Sequence, residues 1–255
     1  MRRLIPHALL LAMTVLAAAA LLVSVRSAER ISSFATPAPG DPAIVKIFHT
    51  VVQRSLDAPS FTVDNFLNYQ APDRTSASSP SGVTEMVIGR SVYLELGPDS
   101  HGIRTWGRGP LTRLADTTYG PSRAKQILDL LLGANSVVRK GDNFVVRQVV
   151  PADFISTGNP GQILVTYSVY VADDYVTGVS PFLQGWVTIP VGGSPARPEW
   201  ARVSNYRAPE STFANYGPYV APISPPPPGQ TVALALCGQS YRIVVSGRAF
   251  CSLFG

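Results

Sequence analysis

A series of segments with period-2 apolarity, interrupted by two segments with period-3.6 apolarity, predicts an α+β fold: an antiparallel sheet with helices packed against it. A long apolar run precedes this region, and a proline-rich break with a short cysteine-bearing tail follows it. These observations divide the chain into a signal-anchor or transmembrane segment at 1–28, a linker at 29–42, a domain at 43–217, a proline-rich linker at 218–229 and a β tail at 230–255.

Leu4 to Val25 is almost unbroken in its apolarity and follows Arg2-Arg3. A secretory signal needs only ~7–15 apolar residues before a small-residue cleavage site. This run is longer, near the ~20 residues that span a bilayer, and Val25-Arg26-Ser27 is a poor processing site. The expectation is an uncleaved single-pass anchor with everything downstream extracytoplasmic, or a secreted protein if the signal is cut. Ser32–Pro42, rich in proline, serine and alanine, is a spacer.

The elements follow in order. Asp41-Pro42 opens a helix, with Ile44, Ile47, Phe48, Val51, Val52 and Leu56 along one side, and the helix closes at Asp57 before Ala58-Pro59. Phe61, Val63, Leu67 and Tyr69 alternate as in one strand. Val83–Ile88 and Ser91–Leu96 flank Gly89-Arg90, the order of a type II′ hairpin. Pro98–Gly120 reads as a long loop. Residues 122–133 form the second helix, with Ile127, Leu128, Leu131 and Leu132 in its stripe and Gly133 at its end. Further strands are expected around Val137, at Phe144–Val150, Ile163–Val171, Trp186–Ile189 and Trp200–Tyr206. Pro218–Gly229 favours polyproline II. The tail reads as strands Val232–Cys237 and Tyr241–Val245 with a short third segment, too few to stand without docking or cross-linking.

Composition narrows the chemistry. The net charge of +5 falls to +2 once residues 1–28 are set aside, and Lys46, Lys125 and Lys140 are the only lysines, so a phosphate-tracking nucleic-acid surface is not expected. Cys237 and Cys251 either pair, as an oxidising compartment permits, or remain as two buried thiols. Histidines occur only at 7, 49 and 101. His49 falls on the polar or boundary face of the first helix, where a solvent-facing or hydrogen-bonded histidine is expected. Asp99-Ser100-His101 are sequence neighbours, which a catalytic triad does not require and seldom uses. Asp173-Asp174 lack the further oxygen ligands of a calcium loop. No phosphate-binding glycine loop is present. No catalytic residue, metal or cofactor is therefore predicted. Tyr69, Tyr93, Phe144, Tyr167, Trp186 and Trp200 remain, on strands, as core or cavity lining.

The export segment, the helix ending Ser55-Leu56-Asp57-Ala58-Pro59-Ser60-Phe61, the hairpin with Gly89 and Val92-Tyr93, and the leucine-rich helix leading into Val137–Val146 together resemble the LppX/LprG type of mycobacterial envelope lipoprotein, related to LolA-like carriers. The resemblance covers roughly 43–216 and lacks that family's lipidated cysteine. It implies a curved antiparallel half-barrel with helices on its concave face around an apolar cavity that holds acyl chains. On this sequence the cavity is expected between Leu128, Leu131 and Leu132 of the second helix and Val63, Leu67, Val92, Leu94, Phe144 and Val165 of the strands. The implied function is a membrane-tethered carrier or sensor of lipid or another hydrophobic ligand, with the membrane and an envelope protein as partners. The alternative is a filled-core interaction module that docks a partner protein.

Overall fold

The computed structural model describes residues 34–78, 84–98, 101–151, 162–194, 197–217, 221–245 and 248–252. The expected membrane segment at 1–28 lies outside the described residues. Among those described, no helix is long and apolar enough to cross a membrane. The chain is mostly strand with few helices, arranged as a large open sheet.

Helix α1 spans Pro42–Leu56, as its spacing predicts: Asp41 Oδ1 accepts the Ala43 N–H at 2.8 Å, and Pro42 takes the first helical position, where no donor is missed. Strands β1 (Ser60–Val63) and β2 (Leu67–Gln70) replace the single strand expected over 61–69. The break comes at Asp64 and Asn65, both left-handed at φ 52° and 59°, a conformation short polar side chains tolerate. Thus Phe61 pairs with Tyr69 and Val63 with Leu67 across a hairpin. Strand β3 (Arg74–Ser78) continues the meander.

Strands β4 (Thr84–Ile88) and β5 (Ser91–Pro98) form the expected hairpin, with Gly89 at φ 60° in its turn. The stretch read as a loop over 98–120 instead contains β6 (Arg104–Pro110) and helix α2 (Arg113–Tyr119). Pairing to β5 and the Thr112 cap, whose Oγ1 accepts the Ala115 N–H, stabilise these glycine- and threonine-rich segments. Helix α3 (Pro121–Leu132) follows directly, and Asp116 on α2 accepts both the Ser122 N–H and its hydroxyl.

Strands β7 (Ser136–Lys140), β8 (Asn143–Pro151) and β9 (Gln162–Ala172) lead to β10 (Tyr175–Ser194), much longer than the Trp186–Ile189 segment its apolarity marks. β11 (Arg197–Arg207) pairs antiparallel with β10, and the short β12 (Ser211–Ala214) follows. The tail comprises β13 (Thr231–Ala233), β14 (Ala235–Cys237), β15 (Ser240–Val245) and β16 (Arg248–Ser252). Cys237 and Cys251 are joined by a disulfide, with Cα atoms 5.8 Å apart.

The residues fall into two compact units. One comprises Ala38–Val146, Tyr167–Pro181 and Pro209–Gly255. The strand order runs β13-β6-β5-β4-β3-β2-β1-β12-β10-β9-β8-β7, with β8, β9 and β10 shared between the units, and the three helices pack on β2, β3, β4 and β7 and on one another. The other comprises Arg147–Thr166 and Phe182–Ala208 with the described residues 34–37. Its backbone is the β10–β11 ladder, which carries irregularities between Leu183 and Trp186 and between Pro190 and Gly192.

A buried polar side chain ties helix α1 to the sheet. Ser55, fully buried, donates to the Val51 carbonyl and accepts the Val176 N–H at 2.9 Å from a strand 121 positions away in sequence. Ser55→Ala leaves that buried N–H without its partner, a loss of about 1–3 kcal/mol. Chemical denaturation should show a lowered midpoint with an unchanged slope.

Candidate ligand-binding face

Residues opposite one another on neighbouring strands share a face of the sheet. The register therefore defines two transverse rows on one side. The first runs Val63, Leu67, Ala77, Glu85, Leu94, Gly107; the second runs Phe61, Tyr69, Thr75, Val87, Val92, Gly109. Every side chain in them is buried.

Helices α2 and α3 cover the middle of this face. The Thr75 hydroxyl donates to the Tyr119 carbonyl at 2.7 Å at the end of α2, and the Lys125 Nζ of α3 lies 4.8 Å from the Tyr69 ring centroid. Arg123 of α3 pairs with Asp64 at 3.9 Å. At the β5–β6 end the cover is the tail. Leu234 stands over Gly107 and the Tyr241 ring over Gly109, close enough that a Cβ on either glycine would overlap them. Val87, Val92, Leu94, Ala115, Tyr241 and Ile243 form one cluster there, flanked by Leu96, Leu111, Tyr119 and Leu234.

The opposite side of the same strands carries Met86, Tyr93 and Trp106, closed by Ile223 from the proline-rich stretch. The Ile223 backbone is held at both ends: its N–H donates to Gln70 Oε1 at 2.9 Å and its carbonyl accepts from Arg74 at 2.8 Å.

The residues expected to line a cavity are spread over several places. Val63, Leu67, Val92 and Leu94 lie in the two rows. Leu128 and Leu131 are fully buried on α3, which packs against β2 and β3. Phe144 of β8 packs its ring on Phe48 of α1, with centroids 5.2 Å apart. Leu132 turns toward an open groove of about 1110 Å³ along α1, bordered also by Pro39, Val45, Lys46, His49 and Gln53. Val165 is buried in the other unit.

The residue that sequence reasoning missed is Glu85. It is 1% exposed, and neither carboxylate oxygen has a hydrogen-bond partner among the described residues. Burial pushes its pKa from 4.5 up to about 8, and it helps raise the Tyr119 phenol, which burial raises first. At neutral pH the group is largely a neutral carboxylic acid, one donor and one acceptor set into an apolar face. The hairpin rule already held the clue: a two-residue turn at Gly89-Arg90 places Glu85 opposite Leu94.

The other polar candidates have structural partners. His49 Nε2, on a partly buried face of α1, meets the Ala134 carbonyl at 2.8 Å. Asp173 and Asp174 form the β9–β10 turn at φ 52° and 63°, and Asp174 pairs with Arg54 at 2.8 Å. His101 sits in the turn before β6, with Asp99 and Ser100 outside the described residues. Among the described residues, no three His, Cys, Asp or Glu side chains are grouped to hold a metal ion.

No known protein family and no curated protein matches the chain. Among solved structures it is similar to the crystal structure of the Mycobacterium tuberculosis lipoprotein LppX, at 14% identity and a TM-score of 0.38, over 71% of this chain and 99% of that one. That lipoprotein is of the type the sequence resembles.

Folding raises the Glu85 pKa, so the folded state favours the proton. That contribution is complete below pH 4.5 and is lost as pH rises through about 8, so stability should decline across this interval by up to a few kcal/mol. Glu85→Gln should remove this part of the slope and make the variant more stable than the parent at pH 8. Denaturant titrations of both proteins at several pH values measure the difference.

Proposed function

We propose that this protein is an extracytoplasmic carrier or sensor, tethered at the cell membrane, that binds a lipid or another hydrophobic ligand on the helix-covered side of the sheet. The single observation that carries the reading is Glu85. A buried carboxyl without a partner costs about 1–3 kcal/mol, and on a mostly apolar face it is suited to a ligand that supplies both apolar bulk and one hydrogen-bonding group. Small-molecule sites have this composition: mostly apolar walls with a few placed polar atoms. Each buried CH₂ of an acyl chain contributes about 0.8 kcal/mol, so Leu94, Leu128 and Leu131 would supply affinity and Glu85 the orientation of the polar end.

Support for the location comes from the Leu4–Val25 run and from the Cys237–Cys251 disulfide, a bond that persists in oxidising compartments. The proposed environment is the outer side of a cytoplasmic membrane.

A second reading, a filled-core module that docks a partner protein, is favoured by the close packing of Tyr241 and Ile243 against Val92 and Leu94. Native mass spectrometry of protein purified from its host separates the two, since a carrier retains bound lipid. Leu131→Trp should lower uptake of a fluorescent acyl probe severalfold with little loss of stability if the face admits ligand. In a filled core it should cost about 1–3 kcal/mol and leave uptake absent in both proteins.

A further inference from the structure

Strand β6 has glycine at both positions where it meets the two apolar rows, so the face that is leucine and valine on β5 becomes bare backbone one strand further on. This makes a notch two residues long at one end of the sheet. Its occupant in this structure is the chain's own tail: Leu234 on Gly107 and Tyr241 on Gly109. Tyr241 is fully buried, and Ile243 nearly so.

The tail reaches the notch by a path that crosses the sheet edge. Ile223 is pinned on the far side, β13 pairs in parallel with β6 at Thr231–Trp106 through Ala233–Arg108, and the Leu234 N–H donates to the Arg108 carbonyl. Beyond Leu234 the backbone leaves the main sheet. Strands β14, β15 and β16 form a separate three-stranded sheet, closed by the Cys237–Cys251 disulfide. Side-chain hydrogen bonds tie it down, among them one from the Tyr241 hydroxyl to the Pro110 carbonyl at 2.6 Å and one from the Thr112 hydroxyl to the Gln239 carbonyl at 2.9 Å. The hairpin is thus an internally cross-linked unit, attached at one end through β13 and seated by a few apolar contacts. Its Leu234 stands over Gly107, the β6 member of the row that holds Leu94 and Glu85.

We infer that the Gly107–Gly109 notch is the entrance end of the hydrophobic-ligand site and that the hairpin 234–252 occupies it as an intramolecular stand-in, which an acyl ligand displaces. This rests on the proposed binding of a hydrophobic ligand to the covered face. Aromatic and branched side chains resting on bare glycine backbone offer the same contact that an alkyl chain would make, so one occupant excludes the other. Because the hairpin keeps its own sheet and disulfide, it can leave the notch without unfolding, with β13 still paired to β6.

The test uses the full chain and a pyrene-labelled hexadecanoic acid, with equilibrium binding and amide hydrogen exchange read together. The probe should speed exchange in β14 and β15 while slowing it in β1–β5. Tyr241→Ala, which loosens the hairpin, should bind about tenfold more tightly, the gain expected if the open form is about a tenth of the population. Ile243→Ala, which removes a second apolar contact of the hairpin and leaves both notch glycines intact, should shift affinity in the same direction. Saturable binding to the parent with unchanged or slowed exchange in the hairpin, and no gain in either variant, overturns the inference and leaves the ligand reading standing. Absence of probe binding to the parent and to both variants, with hairpin exchange accelerated in the variants, overturns the ligand reading and the inference with it.

Discussion

An open sheet that carries mostly apolar side chains along whole transverse rows must have those rows covered, and this requirement organises the rest of the described fold. Each strand contributes two or three side chains to the covered face, a few kcal/mol of burial apiece, and water must be kept from the whole row at once. Helices α2 and α3 serve the strands from β2 to β4, where their main contacts lie. At β5 and β6 the C-terminal segment takes over. The proline-rich stretch is accordingly no free tether, because Ile223 closes the other face of the same strands with both of its backbone groups hydrogen-bonded.

Within this arrangement Glu85 is a local inconsistency in a consistent pattern. Its cross-strand neighbours are Ala77 and Leu94, and neither offers it a hydrogen bond. Sequences that fold well meet their local rules nearly everywhere and break them where something other than stability is selected. An apolar residue at this position would satisfy the packing better, and the strain of retaining an acid is confined to one side chain. The carboxyl is also the point on this face whose charge responds to pH near neutrality.

The sequence shows what depends on local periodicity. Helix α1, helix α3 and the β4–β5 hairpin are where apolar spacing and the residues Asp41-Pro42, Gly89 and Gly133 place them. Segments whose order comes from partners were hidden. β6 is rich in glycine and lacks an alternating pattern, yet it pairs along its length with β5. α2 begins at a threonine cap and buries only Ala115, too weak a stripe to register as a helix. The site was legible as a set of alternating aliphatic positions and illegible as a surface, because register decides which positions are neighbours. Glu85 sits in Thr84-Glu85-Met86-Val87-Ile88, where both faces carry apolar residues, so alternation alone cannot say which side is buried.

The two outer margins of the sheet are finished in different ways. At β7 the last strand carries Arg139 and Lys140, whose charge and hydration discourage another strand from adding on. At β6 the outer backbone groups are taken up instead by three residues of β13 running in parallel. The segment from 231 to 233 is therefore a guard against polymerisation as well as an attachment. A chain clipped after the proline run would present a bare strand margin beside an uncovered apolar notch, two features that together template the stacking of one molecule on the next.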